Sequence, residues 1–256
     1  MSRHYLIVER QQKIIERVSL EKAVDFASLS TELRVSVMTV RRDIRDLERL
    51  GFLKLTRGGA YAQIIRSIDI LLSPRAENQS EAKSIIGKHA ASLIEPGEVI
   101  FIGPGSTTAQ FVQFLNPELD LTLITPSIPH ASFLAAKGFK VISTGGEIAT
   151  DDIAQIGYIA HENIRKFYAT KSIIGASGIS KEVGLSEINI HISHLNQLLV
   201  KRAEEVLVLA DISKLGLKAT YPICGLDEVT QIITTQDASE AYAIETEGLC
   251  EIVTAS

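Results

Sequence analysis

Leu33-Arg34-Val35-Ser36-Val37-Met38-Thr39-Val40-Arg41-Arg42-Asp43-Ile44-Arg45-Asp46-Leu47-Glu48-Arg49-Leu50-Gly51 is the stretch on which the fold turns. Val37, Val40, Ile44, Leu47 and Leu50 recur at three- and four-residue steps, so the spacing predicts a helix from about Val37 to Leu50 with one buried stripe. Val35-Ser36 makes a tight turn before it, Ser36 is a good N-cap, and Gly51 ends it. Burying the stripe leaves Met38, Thr39, Arg41, Arg42 and Arg45 on or beside the exposed face. A helix start offers free N–H groups and the positive end of the dipole, and Ser36 and Thr39 add hydroxyls that can bond a phosphate or a base edge. Arginines contact phosphate or reach guanine O6 and N7 together, a contact worth roughly 1–3 kcal/mol of discrimination. Asp43 reads as a group that orients neighbouring arginines, because a free carboxylate would be repelled by DNA.

On the N-terminal side, Ile14, Ile15 and Val18 place a helix over Glu9 to about Val18, and Leu29 and Leu33 face inward from a short helix over Ala27 to Arg34. On the C-terminal side, Phe52 to Leu55 and Ala60 to Ala62 read as two short strands joined through Arg57-Gly58-Gly59, a wing with a cation near its tip. The charge supports this reading. The 256-residue chain carries a net −5, yet residues 1–66 hold 13 Lys+Arg against 8 Asp+Glu, so half the cations lie in the first quarter. A basic head and an acidic body suit a protein that meets phosphates at one end only, although a solvated helix face would carry charge as well.

The pattern V-S-x-x-T-[VI]-R-R-D-[IL]-x-x-L-E-x-x-G, followed by a strand and Gly58-Gly59-Ala60, resembles the DeoR family of bacterial transcription regulators over Val35 to Ala60. Arg57 stands where the family usually has His, and Lys54 where Arg is frequent; both keep or add positive charge. The resemblance implies an N-terminal winged helix-turn-helix that binds double-stranded operator DNA, followed by a sensor domain like the ribose-5-phosphate isomerase and CoA-transferase fold. Such a chain is expected to be a homo-oligomer, a dimer or tetramer, that represses a carbohydrate operon and responds to a phosphorylated metabolite.

The rest of the chain fits an α/β domain on its own terms. Apolar runs at Val99–Ile102, Leu121–Ile124, Lys140–Ser143, Ser172–Ile174, Val206–Leu209 and Gln231–Thr234 alternate with helix-length segments, which predicts a largely parallel sheet covered by helices. The expected division is a head over residues 1–63, a linker over 64–80 and a sensor over 81–256. After Val99–Ile102 comes Gly103-Pro104-Gly105-Ser106-Thr107-Thr108, a glycine-bearing loop into a helix start, where backbone N–H groups and hydroxyls can hold an anion. Other strands end on Thr125, on Gly145-Gly146 and on Asp211-x-Ser213-Lys214, so small and hydroxyl residues gather where α/β sheets bind ligands. Lys214 is the natural cation there, with Asp211 to hold a sugar hydroxyl or orient it; by resemblance Lys83 belongs to the same set.

Four positions depart from the family pattern: Gly103 replaces an Asp, Pro126 an Asn, His191 a Glu and Gln197 a Lys. The anion cradle is kept while the groups that would read hydroxyls change, so either the ligand is anionic but differs from the usual phosphosugar, or the response to it is weakened. A sugar-phosphate isomerase needs a carboxylate base at the substrate carbon, and only Asp211 and Glu187 remain to supply one. The other alternative is a metabolite-binding protein whose head meets protein instead of DNA. His191-x-x-His194 is an incomplete metal pair, and would split between two faces if the strand-like alternation around it persisted. Two cysteines, Cys224 and Cys250, exclude a disulfide framework. No cofactor is signalled, no apolar run has spanning length, and the polar N-terminus is unlike a signal peptide, so a cytoplasmic protein is expected.

Overall fold

A computed structural model of the chain describes residues 7–21, 23–49, 53–62 and 79–255. The chain divides into two compact units, Met1–Leu72 and Ser73–Ser256. Leu50, Gly51 and Phe52, and all of the expected linker up to residue 78, lie outside the described residues.

The first unit runs α1 (Ile7–Glu21), β1 (Ala23–Asp25), α2 (Phe26–Leu33), α3 (Val37–Arg49), β2 (Leu53–Leu55) and β3 (Gly59–Ala62). Ile14 and Val18 of α1, Leu29 and Leu33 of α2, and Val40, Ile44 and Leu47 of α3 form one core with Leu53 and Ala60. Asp25 caps α2 by accepting from Ser28 N at 2.8 Å. Arg34 takes the left-handed conformation that ends α2, and Ser30 Oγ donates to Val35 O at 2.6 Å to set the turn into α3. Val37, expected in the buried stripe, is 41% exposed. At about 100° per residue it lies on the rim of the stripe that Val40, Ile44 and Leu47 centre, and it occupies the helix end.

The wing has three strands, ordered β1-β3-β2 and antiparallel throughout. Sequence reading found β2 and β3 but not β1, which is too short for a period of two to register. Gly59 pairs with Asp25, and a Cβ there would stand 1.9 Å from Val24 O. Only glycine lets β3 approach β1 this closely.

The first described helix of the second unit is α4 (Ser80–Ser92), so Ser80, the last residue of the expected linker, already stands at a helix start. The unit continues with β4 (Val99–Ile102), α5 (Ser106–Phe114), β5 (Thr122–Thr125), α6 (Ile128–Ala136), β6 (Lys140–Ser143), β7 (Glu147–Ala149), β8 (Ala154–Ile156) and α7 (Gly157–Arg165). Then come β9 (Ala169–Ile174), β10 (Gly178–Ser180), β11 (Gly184–Glu187), α8 (Ile190–Lys201), β12 (Ala203–Leu209), β13 (Tyr221–Cys224), β14 (Gln231–Thr235), α9 (Gln236–Thr246) and β15 (Glu251–Ala255). A seven-stranded parallel sheet has the order β15-β14-β12-β9-β4-β5-β6, with β10-β11-β13 and β7-β8 as antiparallel outworks. Alternation along the strands feeds two cores. Phe101, Ile174, Val206 and Val208 face one, with Leu195 and Leu199 of α8; Ile100, Ile102, Leu207 and Leu209 face the other, with Phe111 and Val112 of α5. All six expected strands belong to this sheet. The seventh, β15, was missed because Glu251-Ile252-Val253-Thr254-Ala255 offers little apolar contrast. Among the described residues no helix is long and apolar enough to cross a membrane.

The sheet order places one reversal. From β4 the chain adds β5 and β6 on one side, and then returns to add β9, β12, β14 and β15 on the other. Helices α5 and α8 accordingly lie on opposite faces, and a crevice is expected beyond the carboxyl ends of β4 and β9.

Candidate functional site

The head presents α3. Ser36 caps it, accepting from Thr39 N at 3.1 Å, while the two hydroxyls share a hydrogen bond of 2.9 Å. Two hydroxyl protons and one mutual bond leave one proton free to donate outward, so the pair offers one donor at the helix start. Met38, Arg41, Arg42 and Arg45 are exposed, Met38 at 72%. Arg41 stacks its guanidinium 4.7 Å from the Phe26 ring centre. Arg41, Arg45 and Arg57 line one groove with Phe26, Leu55 and Thr56, which brings cations of α3 and of the wing together. The wing is held to the helices by Leu55 N donating to Glu48 Oε1 at 3.0 Å, and Phe26 N donating to Gly58 O at 3.0 Å.

Asp43 does not orient the arginines of its own helix. It is 1% exposed and bonds Arg10 of α1 in bidentate fashion, which raises the Arg10 pKa above its already high value. The alternation that exposes Arg41, Arg42 and Arg45 turns Asp43 inward with Val40 and Ile44. A single helix pattern could not reveal a partner 33 residues away.

In the second unit, Gly105 ends the β4 loop with φ +149°, and α5 starts at Ser106. The first turn leaves its N–H groups without intrahelical acceptors, as every helix start does. Thr107 and Thr108 are buried; Thr108 Oγ1 donates to Gly103 O at 2.9 Å and lies 3.0 Å from Gly105 O, so it shapes the loop from inside. Thr125 likewise donates to Ile102 O at 2.7 Å and accepts from Ser127 N, fastening the ends of β4 and β5. His130 of α6 is buried, and burial pushes its pKa down to about 4 against a weaker pull from the Gly105 backbone.

The turn after β6, expected among the effector contacts, engages its polar groups within the protein itself. Gly145 N donates to Gln155 Oε1 at 2.8 Å, the same oxygen accepts from Ser143 and Thr144, and Asn163 Nδ2 donates to Thr144 O. A Cβ on Gly146 would meet Ile156 O at 2.5 Å. These glycines pack the turn against β8 and α7, and the Gly145 N–H is already engaged. Pro126 contributes through its carbonyl, which accepts from Gln155 N at 2.7 Å.

At the end of β12, Asp211 is buried, with Oδ1 accepting from Ser213 N at 2.9 Å and Oδ2 without a protein partner. Tyr242 donates to Asp211 O at 2.8 Å, and Lys214 is half-buried in the following turn. Lys83 is buried on α4, the helix whose Gly87 lets it close onto α5; a Cβ there would stand 2.6 Å from Phe111 N. Glu187, the other candidate base, is engaged by Ser177 Oγ and Ile188 N.

Gln197 does not reach the crevice: its Nε2 donates to Pro222 O at 2.8 Å. Its neighbour Asn196, which sequence reading passed over, lies against Gly103 at the carboxyl end of β4. Asn196 is 1% exposed, its Oδ1 lies 2.9 Å from where a Gly103 Cβ would stand, and neither Oδ1 nor Nδ2 has a protein partner.

The residues around His191 are helical, not extended, so His191 and His194 share one side of α8. His194 meets His161 of α7 edge to face at 6.3 Å, and His161 is held below the usual imidazole pKa, by burial first and by His194 next. Among the described residues no group of three or more His, Cys, Asp or Glu side chains is arranged to hold a metal. His191 instead lines a cleft of about 540 Å³ with Asp151, Asp152, Asn189 and Tyr221. Cys224 is buried and its thiol pushed up to about 12 by that burial, which suits packing and not nucleophilic chemistry.

Comparison with known proteins agrees with both units. Residues 10–64 match the DeoR-like helix-turn-helix domain and residues 78–236 the DeoR C terminal sensor domain. The chain is 32% identical over 240 residues to the HTH-type transcriptional repressor GlcR of Bacillus subtilis (strain 168), covering 91% of this chain and 90% of that one. It is 30% identical over 231 residues to the lactose phosphotransferase system repressor of Streptococcus mutans serotype c, covering 88% and 91%. Both are named for repression, not catalysis. Among solved structures, ribose 5-phosphate isomerase A from Methanocaldococcus jannaschii overlaps 54% of this chain and 55% of its own, with 20% identity and a TM-score of 0.42.

Proposed function

The chain belongs to the DeoR family of helix-turn-helix transcription regulators, and from that premise we propose that it represses a carbohydrate operon under the control of a small phosphorylated metabolite. The observation that supports DNA reading is the shared groove of Arg41, Arg45 and Arg57 beside the capped start of α3. In this reading α3 enters the major groove, Met38 meets base edges, the α3 arginines meet phosphates or base edges, and the Ser36–Thr39 pair and Arg57 meet phosphates. The head comprises residues 1–63, a linker residues 64–80 and the sensor residues 81–256. Two heads of a homo-oligomer occupy paired half-sites, and linkage raises their joint affinity.

The effector sits in the β4–β9 crevice. Its phosphate meets the N–H groups of Ser106 and Thr107 at the start of α5, within a loop that Gly105 and Thr108 shape, and Lys83 and Lys214 supply positive charge. As an inducer it must bind the DNA-incompetent state more tightly than the competent one. The relatives' names, which include a sugar phosphotransferase repressor, favour a carbohydrate operon.

Fluorescence anisotropy with duplex operator fragments, titrated with salt and with sugar phosphates, tests the whole reading. The expected result is salt-steep binding that a sugar phosphate weakens. Salt-independent binding would instead favour a head that contacts protein.

A further inference from the structure

Neighbouring strands β4, β9 and β12 bring three features to one end of the sheet. Gly103 follows β4, Asn196 lies against it from α8 beside Ile174 at the end of β9, and Asp211 follows β12. Asn196 is almost wholly buried, yet its amide oxygen and nitrogen both lack a protein partner, and so does Asp211 Oδ2. Buried amides and carboxylates are ordinarily satisfied, because leaving them unpaired is costly. Residues that break this rule together, at a switch point of strand order, break it for a ligand.

We propose that Asn196 is the specificity-determining residue of the effector site. Its amide reads a hydroxyl or carbonyl group of the phosphorylated metabolite, in room that Gly103 provides by having no side chain. This assignment rests on the crevice being the effector site, as described above. The chemistry follows from the groups present. An amide donates two hydrogens and accepts at its oxygen, and Asp211 Oδ2 adds a further acceptor. That set suits a hydroxylated carbon chain, while the N–H groups at the start of α5 suit its phosphate.

Gly103 and Asn196 act as a unit. A Cβ at position 103 would meet Asn196 Oδ1 at 2.9 Å and the Ile174 methyl group at 3.1 Å, so any side chain there displaces the amide. Gly103→Ala is therefore expected to mimic the loss of Asn196, although residue 103 itself offers no group to a ligand.

Isothermal titration of the full-length protein, of Asn196→Ala, Asn196→Leu and Gly103→Ala tests this. The ligands are inorganic phosphate, a panel of sugar phosphates and their deoxy analogues. Asn196→Ala is expected to weaken the best sugar phosphate at least tenfold and inorganic phosphate less than twofold. One deoxy analogue should bind the native and Asn196→Ala proteins alike. Ligand-free Asn196→Leu should melt no lower than the native protein, because the amide it removes bonds nothing in the protein. A structural asparagine would lower the melting temperature by several degrees, and that result overturns the assignment. So does sugar-phosphate affinity unchanged within twofold in Asn196→Ala, or a panel in which none binds more tightly than inorganic phosphate. If the native protein binds neither phosphate nor any sugar phosphate, the effector site itself is wrong and the role of Asn196 falls with it.

Discussion

The Arg10 guanidinium of α1 meets the Asp43 carboxylate of α3 fork to fork, Nη2 to Oδ1 at 2.9 Å and Nε to Oδ2, with both side chains buried. The pair joins α1 to α3 beside the core residues Ile14, Val40 and Ile44.

Removing one partner strands the other charge. Asp43→Ala is expected to destabilise the head by about 3–5 kcal/mol, the usual cost of breaking a buried pair. Replacing both, as Arg10→Met with Asp43→Leu, should recover most of that loss. Urea unfolding followed by helical circular dichroism distinguishes the two; an unchanged midpoint for Asp43→Ala refutes the account.

Arg41, Arg45 and Arg57 share a groove, so each should contribute to one electrostatic footprint on DNA. Each change to alanine is expected to flatten the plot of log affinity against log salt by about 1 on mixed-sequence duplex. Arg41→Ala should also cost packing, since its guanidinium covers Phe26. Slopes that stay at the native value in all three variants would remove α3 and the wing from the interface.

The wing glycines are unequal. Gly58 has open space where a Cβ would go, whereas a Cβ on Gly59 would overlap Val24 O. Gly58→Ala should change stability by less than about 0.5 kcal/mol. Gly59→Ala should cost about 1–3 kcal/mol or more, because β1 and β3 must part. Denaturation midpoints that rank the two variants equally contradict the β1–β3 register.

His130 fixes the sign of one pH effect. Its native pKa of about 4 lies below the ordinary 6.5, so between these values the unfolded chain binds the extra proton. Stability from this group is therefore complete above about pH 6.5 and falls as pH drops toward 4, by about 3 kcal/mol in total. His130→Leu should flatten that part of the pH profile relative to the native protein. Equal slopes between pH 7 and pH 5 would show that His130 is not buried in its neutral form.

What the sequence disclosed followed the range of its signals. The α3 stripe of period 3.6, the turn residues of the wing and the apolar runs of six sheet strands are local patterns, and each could be read directly. Contacts between distant segments were silent. Asp43 looked like a partner for its own helix because Arg10 is far away in sequence, and Gly145-Gly146 looked like a ligand contact because nothing local marks Gln155 as the acceptor for that turn. The family pattern pointed to Gln197, one residue from Asn196. On a helix that single step is a rotation of about 100°, enough to exchange the crevice for the Pro222 carbonyl.

The seam between β4 and β9 also bears on how the sensor assembles. It joins Ile100, Phe101 and Ile102 to Lys171, Ser172 and Ile173, so its ladder must close a loop of about 70 residues, whereas β4–β5 and β5–β6 close loops about a third as long. Each half-sheet closes the shorter loops, so the β4–β9 ladder is expected to be the late step in refolding. Across the seam Lys171 pairs with Glu98, and Thr170 Oγ1 donates to Val99 O, both near the amino ends of the strands. At the other end Gly103 N donates to Ile173 O under the crevice. Under the proposed effector site, a bound molecule bridges this junction and is expected to slow amide exchange at Gly103 by holding the two halves closed.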